Sequence, residues 1–288
     1  MIKFLQNAFR VKEVRDRLLY TLGMLVVIRI GSNLPIPGVD ASYLSSFFEN
    51  LQASGLGFFN AITGGSFSSM SLFALSITPY ITSSIIMQLL TIAVPKLEEM
   101  QKEGEDGRRK IAEYTRYLTV GLALFESTAM ALGLGGQGLV LEEHRNFWGY
   151  LTVVAAMTAG SALLMWIGER ITEKGVGNGI SIVLLVNIVS SLPQDIMMLY
   201  YRFMAGQSVP VAAIACVIVL AVIIATVVFV LILNGAERRI PVQYSKKMQG
   251  RRMVGGQSSH IPLKVNTAGV IPVIFASSIM SMPAMVAQ

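Results

Sequence analysis

The sequence offers few side chains suited to catalysis. Nucleophiles, general bases and metal ligands come mostly from histidine, cysteine and grouped acidic residues, and this chain has two histidines and one cysteine. His144 and His260 lie in polar loops that the apolar runs place on opposite faces of a membrane, and Cys216 lies inside an apolar run. The string Gly179-Ile-Ser181 lacks a following glycine and a histidine at membrane depth. We therefore expect no enzyme, no metal site and no cofactor.

The composition indicates a polytopic membrane protein. Hydrophobic residues make up 53% of the 288 residues and charged residues only 14%, which is too little charge to cover a soluble globule. A single cysteine cannot form an internal disulfide. The net charge of +6 is informative here through its distribution among loops, because basic residues favour the cytoplasmic side of a membrane.

The stretch from Gly55 to Leu90 combines two kinds of sequence. Residues 55–71 are rich in glycine and serine, whereas residues 72–90 form an apolar run that can cross a bilayer as a helix. Non-helical backbone is tolerated at membrane depth only where it is buried in protein or lines a cavity. The pattern predicts a short re-entrant piece that leads into a full span, which is typical of a pore or a substrate site.

Seven apolar runs predict seven membrane spans. They lie at about residues 18–34, 72–94, 117–134, 147–167, 180–200, 209–233 and 268–286. Residues 1–17 alternate apolar and basic side chains and suit an amphipathic helix on an anionic membrane surface. We divide the chain into this cytoplasmic segment at 1–17, spans one to five with the re-entrant piece at 18–200, and spans six and seven at 201–288.

The basic residues predict the orientation. Twenty of the 23 lysines and arginines fall before span one or in alternate loops, at 96–116, 170–174 and 238–264. The remaining loops contain only Arg145 and Arg202. The positive-inside rule therefore predicts a multi-pass protein with a cytoplasmic N-terminus and with residues 35–71 outside.

Two polar residues lie within predicted spans. Glu126 is central in span three, where a carboxylate faces protein or water, and the hydroxyls of Ser76, Thr82 and Ser83 are its expected partners. The alternative is a protonated Glu126 packed against helix backbone. Asn187 in span five suits an interhelical hydrogen bond.

The loop at residues 234–264 is longer than a turn between two spans requires. It alternates apolar and polar residues from Ile240 to Tyr244 and then becomes basic, a pattern typical of a β-hairpin. We expect this hairpin to project into the cytoplasm and to dock a large anionic or acidic partner.

Six groups of motifs in the same order resemble the SecY/Sec61-alpha family, whose bacterial members are the channel subunits of the protein translocase. They are Leu34-Pro-Ile-Pro-Gly38; Thr78-Pro-Tyr-Ile81 with Gln88-Leu-Leu90; Lys102-Glu-Gly-Glu-Asp-Gly-Arg-Arg-Lys110; Gly177-Asn-Gly-Ile-Ser181; Arg238-Arg-Ile-Pro-Val-Gln-Tyr244; and Leu263-Lys-Val-Asn266 with Gly269-Val-Ile-Pro272. The resemblance implies an all-α polytopic membrane protein with ten spans in two inverted halves. This chain would contain the N-terminal five-span half plus spans six and seven, with a re-entrant plug helix and a cytoplasmic β-hairpin-like loop, and would end in or just after span seven.

The resemblance also implies a pore. An aliphatic ring at its waist would contain Ile77, Ile81, Leu184, Ile188 and Ile274. A plug at residues 55–71, with Phe58, Phe59, Ile62, Gly64, Gly65 and Phe67, would block the outer funnel. An apolar constriction excludes water and ions, while branched side chains can part around a polypeptide. Each aliphatic residue also has a plain interpretation as part of the helix core.

A lateral gate and two docking loops complete these implications. The gate would involve Thr82, Ser83, Gln88, Glu126 and Met282, where spans two and three face spans seven and eight. Docking residues would be Arg108, Arg109, Lys110, Arg238, Arg239, Lys246, Lys247, Arg251 and Arg252. The implied partners are the SecE and SecG subunits, the SecA motor ATPase, the ribosome, signal-bearing precursor polypeptides and membrane lipids.

We therefore expect a protein-conducting channel of the cytoplasmic membrane that translocates secretory polypeptides and releases membrane proteins laterally. A secondary transporter with broken helices is the alternative, because such transporters share broken helices and inverted repeats. It requires polar groups that converge at the midplane, for which the sequence offers only Glu126 and Asn187. A structural or assembly scaffold is a third possibility.

Overall fold

The computed structural model of the chain describes residues 10–40, 63–135, 140–206, 209–242, 247–249, 252–254, 259–267, 269 and 276. The chain divides into two compact units. The first contains residues up to Pro193 together with the stretch from Phe275, and the second runs from Gln194 to Ile274.

Helices dominate the described residues, and the prediction of an all-α polytopic membrane protein is confirmed. The helices are α1 (Lys12–Asn33), α2 (Thr78–Ala93), α3 (Pro95–Lys102), α4 (Glu105–Leu134), α5 (Phe147–Lys174), α6 (Gly179–Phe203) and α7 (Val209–Gly235), with a short 3-10 helix at Glu142–His144. The strands are β1 (Glu237–Val242), β2 (Lys247–Gln249), β3 (Arg252–Val254) and β4 (Ser259–Lys264). Helices occur at the first six predicted spans, whereas span seven lies almost entirely outside the described residues.

Length and composition alone mark some of these helices as membrane spans. Among the described residues, α5, α6 and α7 are long and apolar enough to cross a bilayer, and α2 with α3 meets the same criteria as a pair bent by 101°. The bend follows from Pro95, which forces Val94 into extended backbone at φ −110° and ψ 112°. Helices α1 and α4 carry charge within their apolar parts, at Arg29 and Glu126.

Span two begins later than predicted. The helix starts at Thr78 and not at Leu72. The preceding residues 63–77, here called the turn segment, consist of the helical residue Thr63 and a series of tight turns that begins at Gly64. Four residues of the turn segment have left-handed backbone, namely Gly64 (φ 66°), Gly65 (φ 80°), Met70 (φ 41°) and Ser76 (φ 53°). Such residues interrupt a right-handed helix. Of the predicted plug at residues 55–71, Thr63 is helical, residues 64–70 form turns, and residues 55–62 lie outside the described residues.

The turn segment lies in the interior of the first unit and contributes to both of its apolar clusters. The upper cluster, as we name it, contains Ile36, Phe67, Met70, Ala74, Leu75, Ala123, Met130, Ala131, Val153 and Met157. The lower cluster contains Ile28, Phe73, Ile77, Leu164, Ile167, Ile171 and Val183. Residues from α1, α4, α5 and α6 thus pack around a core whose centre is not helical.

Backbone hydrogen bonds satisfy much of this irregular chain. Leu72 N donates to Leu34 O at 2.8 Å, and Ile36 N donates to Met70 O at 3.0 Å, which ties the turn segment to the residues after α1. Further bonds close the turns within the segment, such as Ser71 N to Ser66 O at 3.1 Å. Buried backbone polar groups need such partners because no water reaches them in a membrane.

Glycines on the surrounding helices let the turn segment approach closely. A Cβ at Gly160 of α5 would lie 1.9 Å from the carbonyl oxygen of Leu72, and a Cβ at Gly31 of α1 would lie 2.1 Å from the ring of Phe73. Neither position has space for a methyl group. Small residues serve the same purpose in membrane proteins generally, where packing replaces the hydrophobic drive between helices.

The second unit contains the expected β-hairpin. Strand β1 pairs antiparallel with β4, from Glu237 opposite Lys264 to Val242 opposite Ser259, and β2 pairs with β3 between them. Val265 N donates to Ala236 O at 3.0 Å, which closes the base of this ribbon directly after α7. The predicted hairpin is therefore present.

The close contact at Gly160 leads to a stability prediction. Gly160→Ala should destabilise the protein by about 1–3 kcal/mol, because the added methyl group overlaps the Leu72 carbonyl. Gly121→Ala on α4 is the matched control, since a Cβ there has nothing within 4 Å. The control should be stable or gain up to about 1 kcal/mol from higher helix propensity. Thermal unfolding in detergent measures both, and an equal gain in the two variants would contradict the contact.

Candidate functional site

A buried polar contact joins the turn segment to α6. Asn187 is 2% exposed, and its Nδ2 donates to Ser76 Oγ at 3.0 Å. The expected hydrogen bond of Asn187 is thus present, but it reaches the turn segment and not another helix. The Oδ1 atom of Asn187 is buried and has no partner among the described residues.

The same turn of α6 receives Gly64. A Cβ at Gly64 would lie 2.6 Å from the carbonyl oxygen of Asn187 and 2.8 Å from Ser190 Oγ. With φ at 66°, Gly64 also has a backbone conformation that other residues adopt only with strain. Two parts of the turn segment, at Gly64 and Ser76, therefore contact α6 within one helical turn.

The predicted ring residues lie in different environments. Ile77 has no exposed surface and belongs to the lower cluster, so it does not line an open space in this structure. Ile81 and Leu184 are partly buried and pack against the same cluster, while Ile188 is 47% exposed. Ile274 lies outside the described residues. The structure thus brings Ile77, Ile81 and Leu184 to one cluster, in which Ile77 is fully buried and the other two are partly exposed.

The predicted plug residues are only partly described. Phe58, Phe59 and Ile62 lie outside the described residues. Phe67 is buried in the upper cluster. Gly64 contacts α6 as described above, and a Cβ at Gly65 would have nothing within 4 Å.

The predicted gate residues do not form the expected contact with Glu126. Ser76 bonds to Asn187, Ser83 Oγ donates to Pro79 O at 2.7 Å, and Thr82 Oγ1 is buried with no partner among the described residues. Ser76 and Ser83 are paired with α6 and with the backbone of α2, so the expectation that these hydroxyls pair with Glu126 was wrong. Glu126 itself is 8% exposed. Gln88 is exposed, and Met282 lies outside the described residues.

The motif at residues 177–181 has a structural role at the start of α6. Asn178 Oδ1 accepts hydrogen bonds from Ile180 N at 3.0 Å and Ser181 N at 3.3 Å, which caps the first turn of the helix. A Cβ at Gly179 would lie 2.0 Å from Gly168 O on α5. This motif therefore fixes α6 against α5 and, with it, the height of Leu184 and Asn187.

The predicted docking residues are exposed wherever their side chains are described. Arg108, Arg109 and Lys110 lie in the first turns of α4, and Arg238 and Arg239 lie on β1. Lys247 belongs to β2 and Arg252 to β3, but their side chains lie outside what the structure describes, as do Lys246 and Arg251 entirely.

Sequence analysis missed the residues that hold the turn segment. Gly31 and Gly160 receive it, and neither was singled out. A small residue on a helix of otherwise bulky apolar residues indicates that another part of the chain packs closely there. It does not indicate which part of the chain that is. Among the described residues, no three His, Cys, Asp or Glu side chains are grouped so that they could hold a metal ion.

Comparison with known proteins gives the family. The SecY family model matches residues 71–288. The chain belongs to the SecY family. The protein translocase subunit SecY of Escherichia coli (strain K12) is 47% identical over 280 residues, which cover 96% of this chain and 62% of that relative. The SecY of Buchnera aphidicola subsp. Acyrthosiphon kondoi is 46% identical, with 96% of this chain and 77% of the relative covered.

Solved structures share the fold. A protein-conducting channel superposes with a TM-score of 0.55 and 19% identity, covering 94% of this chain and 57% of that one. Sec61 in the canine ribosome-channel complex from the endoplasmic reticulum has a TM-score of 0.52, also at 19% identity, covering 94% of this chain and 58% of that one. The chain thus spans about three fifths of the length of the Escherichia coli relative and of these two structures, and about three quarters of the Buchnera relative.

The different burial of Ile77 and Ile188 leads to a prediction about stability. Ile77→Asn should destabilise the protein by about 3 kcal/mol or more, because it removes core packing and buries an amide without a partner. Ile188→Asn should change stability by less than about 1 kcal/mol, since the side chain is 47% exposed. Unfolding in detergent compares the two variants. Equal losses would place both residues in the same environment.

Proposed function

We propose that this chain forms the N-terminal part of a protein-conducting channel, which carries secretory polypeptides across the cytoplasmic membrane and releases membrane proteins laterally. The observation that carries the proposal is the largely non-helical turn segment, which is buried among spanning helices in a cluster against which Ile81 and Leu184 pack. Irregular backbone inside a helix bundle marks a pathway more often than a support, because it costs hydrogen bonds that a plain helix supplies.

The aliphatic side chains account for the seal. Ile81 comes from α2, and Leu184 and Ile188 lie four residues apart on one face of α6. A narrow ring of such side chains excludes water and therefore ions, yet it makes no specific contact that would hold a polypeptide in place. Ile77 is buried in the lower cluster, against which Ile81 and Leu184 pack. Ile274 lies outside the described residues and remains a predicted member of the ring.

The segment at residues 55–71 acts as the plug on the outer side of the ring. Its described part leads directly into the turns that end at α2, so movement of the plug requires the turn segment to yield. The lateral gate lies at α2 and α4, with Thr82, Ser83, Gln88 and Glu126 on this side and Met282 of span seven opposite. Separation of these spans would let a signal helix pass into the lipid.

The partners follow from the basic cytoplasmic surfaces. The β1–β4 ribbon and the start of α4 dock the ribosome and the SecA motor, which supplies the energy of ATP hydrolysis. SecE and SecG complete the membrane complex, and signal-bearing precursors and membrane lipids are its further contacts. The N-terminus lies in the cytoplasm, as the distribution of lysine and arginine supports.

The first test concerns the seal. Ile188→Asn in the assembled channel should raise the resting ion conductance and relax the need for a good signal sequence, because an amide stabilises water in the constriction. Ile81→Asn should act in the same direction. Val189→Asn is the matched control, since Val189 is 50% exposed on another face of the same helix. Planar-bilayer conductance and transport of a signal-defective precursor measure the effect. Unchanged values for Ile81→Asn and Ile188→Asn would remove these residues from the ring.

The second test concerns docking. Arg238→Glu with Arg239→Glu should weaken ribosome or SecA binding about tenfold or more at physiological salt, since charge complementarity speeds association and selects partners. Insertion into the membrane should not change, because other basic loops maintain the orientation. Arg202→Glu is the control, as an exposed arginine in the last turn of α6, on the opposite predicted side of the membrane. Co-sedimentation with ribosomes measures binding. Equal binding by all variants would limit the arginines to a topological role.

A further inference from the structure

We propose that Asn187 holds the turn segment in its packed arrangement and couples the release of that segment to movement of α6. The contact has two parts. Asn187 Nδ2 donates a hydrogen bond to Ser76 Oγ, and the backbone carbonyl of Asn187 packs closely against Gly64. This inference rests on the proposed channel function, in which the turn segment must yield before a polypeptide passes.

The hydrogen bond between Asn187 and Ser76 lies in apolar surroundings. Its neighbours in the lower cluster, Val183 of α6 and Phe73 and Ile77 of the turn segment, are buried and apolar. A hydrogen bond is electrostatically stronger in such surroundings, and a polar group that loses its partner there is costly. Removal of either partner therefore shifts the segment toward arrangements in which water reaches the remaining group.

The conformation of Ser76 needs external support. Its φ of 53° is unfavourable for a residue other than glycine, and such residues persist only where their surroundings enforce them. The hydrogen bond from Asn187 Nδ2 to the Ser76 hydroxyl supplies such support from α6. Without it, the left-handed turn before α2 has less to maintain it.

The contact is also limited in strength. Asn187 Oδ1 is buried without a partner among the described residues, so the closed arrangement carries the cost of one unpaired carbonyl. A fully paired amide would hold the segment more firmly. The balance of one made and one missing bond suits a contact that must open.

The position of Asn187 links it to the ring. It lies between Leu184 and Ile188 in sequence, three residues after one and next to the other, on the same stretch of α6. A shift of α6 that widens the ring therefore moves Asn187 Nδ2 away from Ser76 and the Asn187 carbonyl away from Gly64. A polypeptide that parts the aliphatic side chains would thereby release the turn segment.

The test measures exposure of the turn segment without any substrate. Ser66 is 2% exposed and its hydroxyl has no partner among the described residues, so Ser66→Cys in a Cys216→Ala background reports when the segment opens. A membrane-impermeant maleimide should label it slowly in the assembled channel. When reclosing is fast, labelling tracks the population of the open form.

Asn187→Ala should raise the labelling rate about three- to tenfold, the effect of losing one buried hydrogen bond on a two-state equilibrium. Ser76→Ala should do the same, and the double variant should not exceed the larger single effect, because the two residues share one contact. Gln194→Ala, which removes an exposed amide from α6, should leave the rate unchanged. Unchanged labelling in Asn187→Ala and Ser76→Ala, or fully additive effects, would overturn the proposal.

Transport of a normal precursor by the parent protein is measured separately. If the parent protein transports the precursor but the labelling rate is unchanged in Asn187→Ala and Ser76→Ala, the proposed role of the contact is wrong and the channel function is retained. If labelling responds as expected but no precursor is moved, the contact holds the segment and the channel function fails. Melting in detergent confirms that each variant is folded before labelling, and Ser76→Ala replaces Asn187→Ala if the latter does not fold.

Discussion

The backbone of residues 63–77 imposes the main constraint on the first unit. A chain that is not helical cannot pair its own amides and carbonyls regularly, and a membrane provides no water to replace those bonds. The structure meets this requirement with tight turns, with two bonds to residues 34–36 and with burial among α1, α4, α5 and α6. The glycines at 31 and 160 allow the required proximity.

Much of the architecture could be predicted from the sequence. The first six spans, the hairpin after α7 and the buried polar role of Asn187 all follow from runs, spacing and residue type. These features depend on residue types that are close together in the chain, so they can be predicted from the sequence alone. Prediction of the helix start failed at Leu72, because the left-handed residues Met70 and Ser76 carry no glycine or proline signal of their own.

The site was less predictable because it depends on which groups meet across long separations. Ile77 and Ile81 are four residues apart, and this spacing would place them on one face of a helix. Ile77 is the N-cap of α2, and its carbonyl accepts a hydrogen bond from Ile81 N at 3.2 Å. Its side chain is nevertheless fully buried in the lower cluster, whereas that of Ile81 is only partly buried. Likewise, Ser76 suited either Glu126 or Asn187 by residue type, and only the fold selects Asn187.

The turn segment is synthesised well before the helices that pack against it. The partner of Ser76 is 111 residues further along the chain, and Gly160 follows Leu72 by a similar distance. At about 5–20 residues per second, α6 emerges roughly 6–20 s after the turn segment has left the ribosome. During that interval the irregular backbone lacks the neighbours that later surround it. The contacts of this region with Gly160 and Asn187 therefore form only after α5 and α6 have been synthesised.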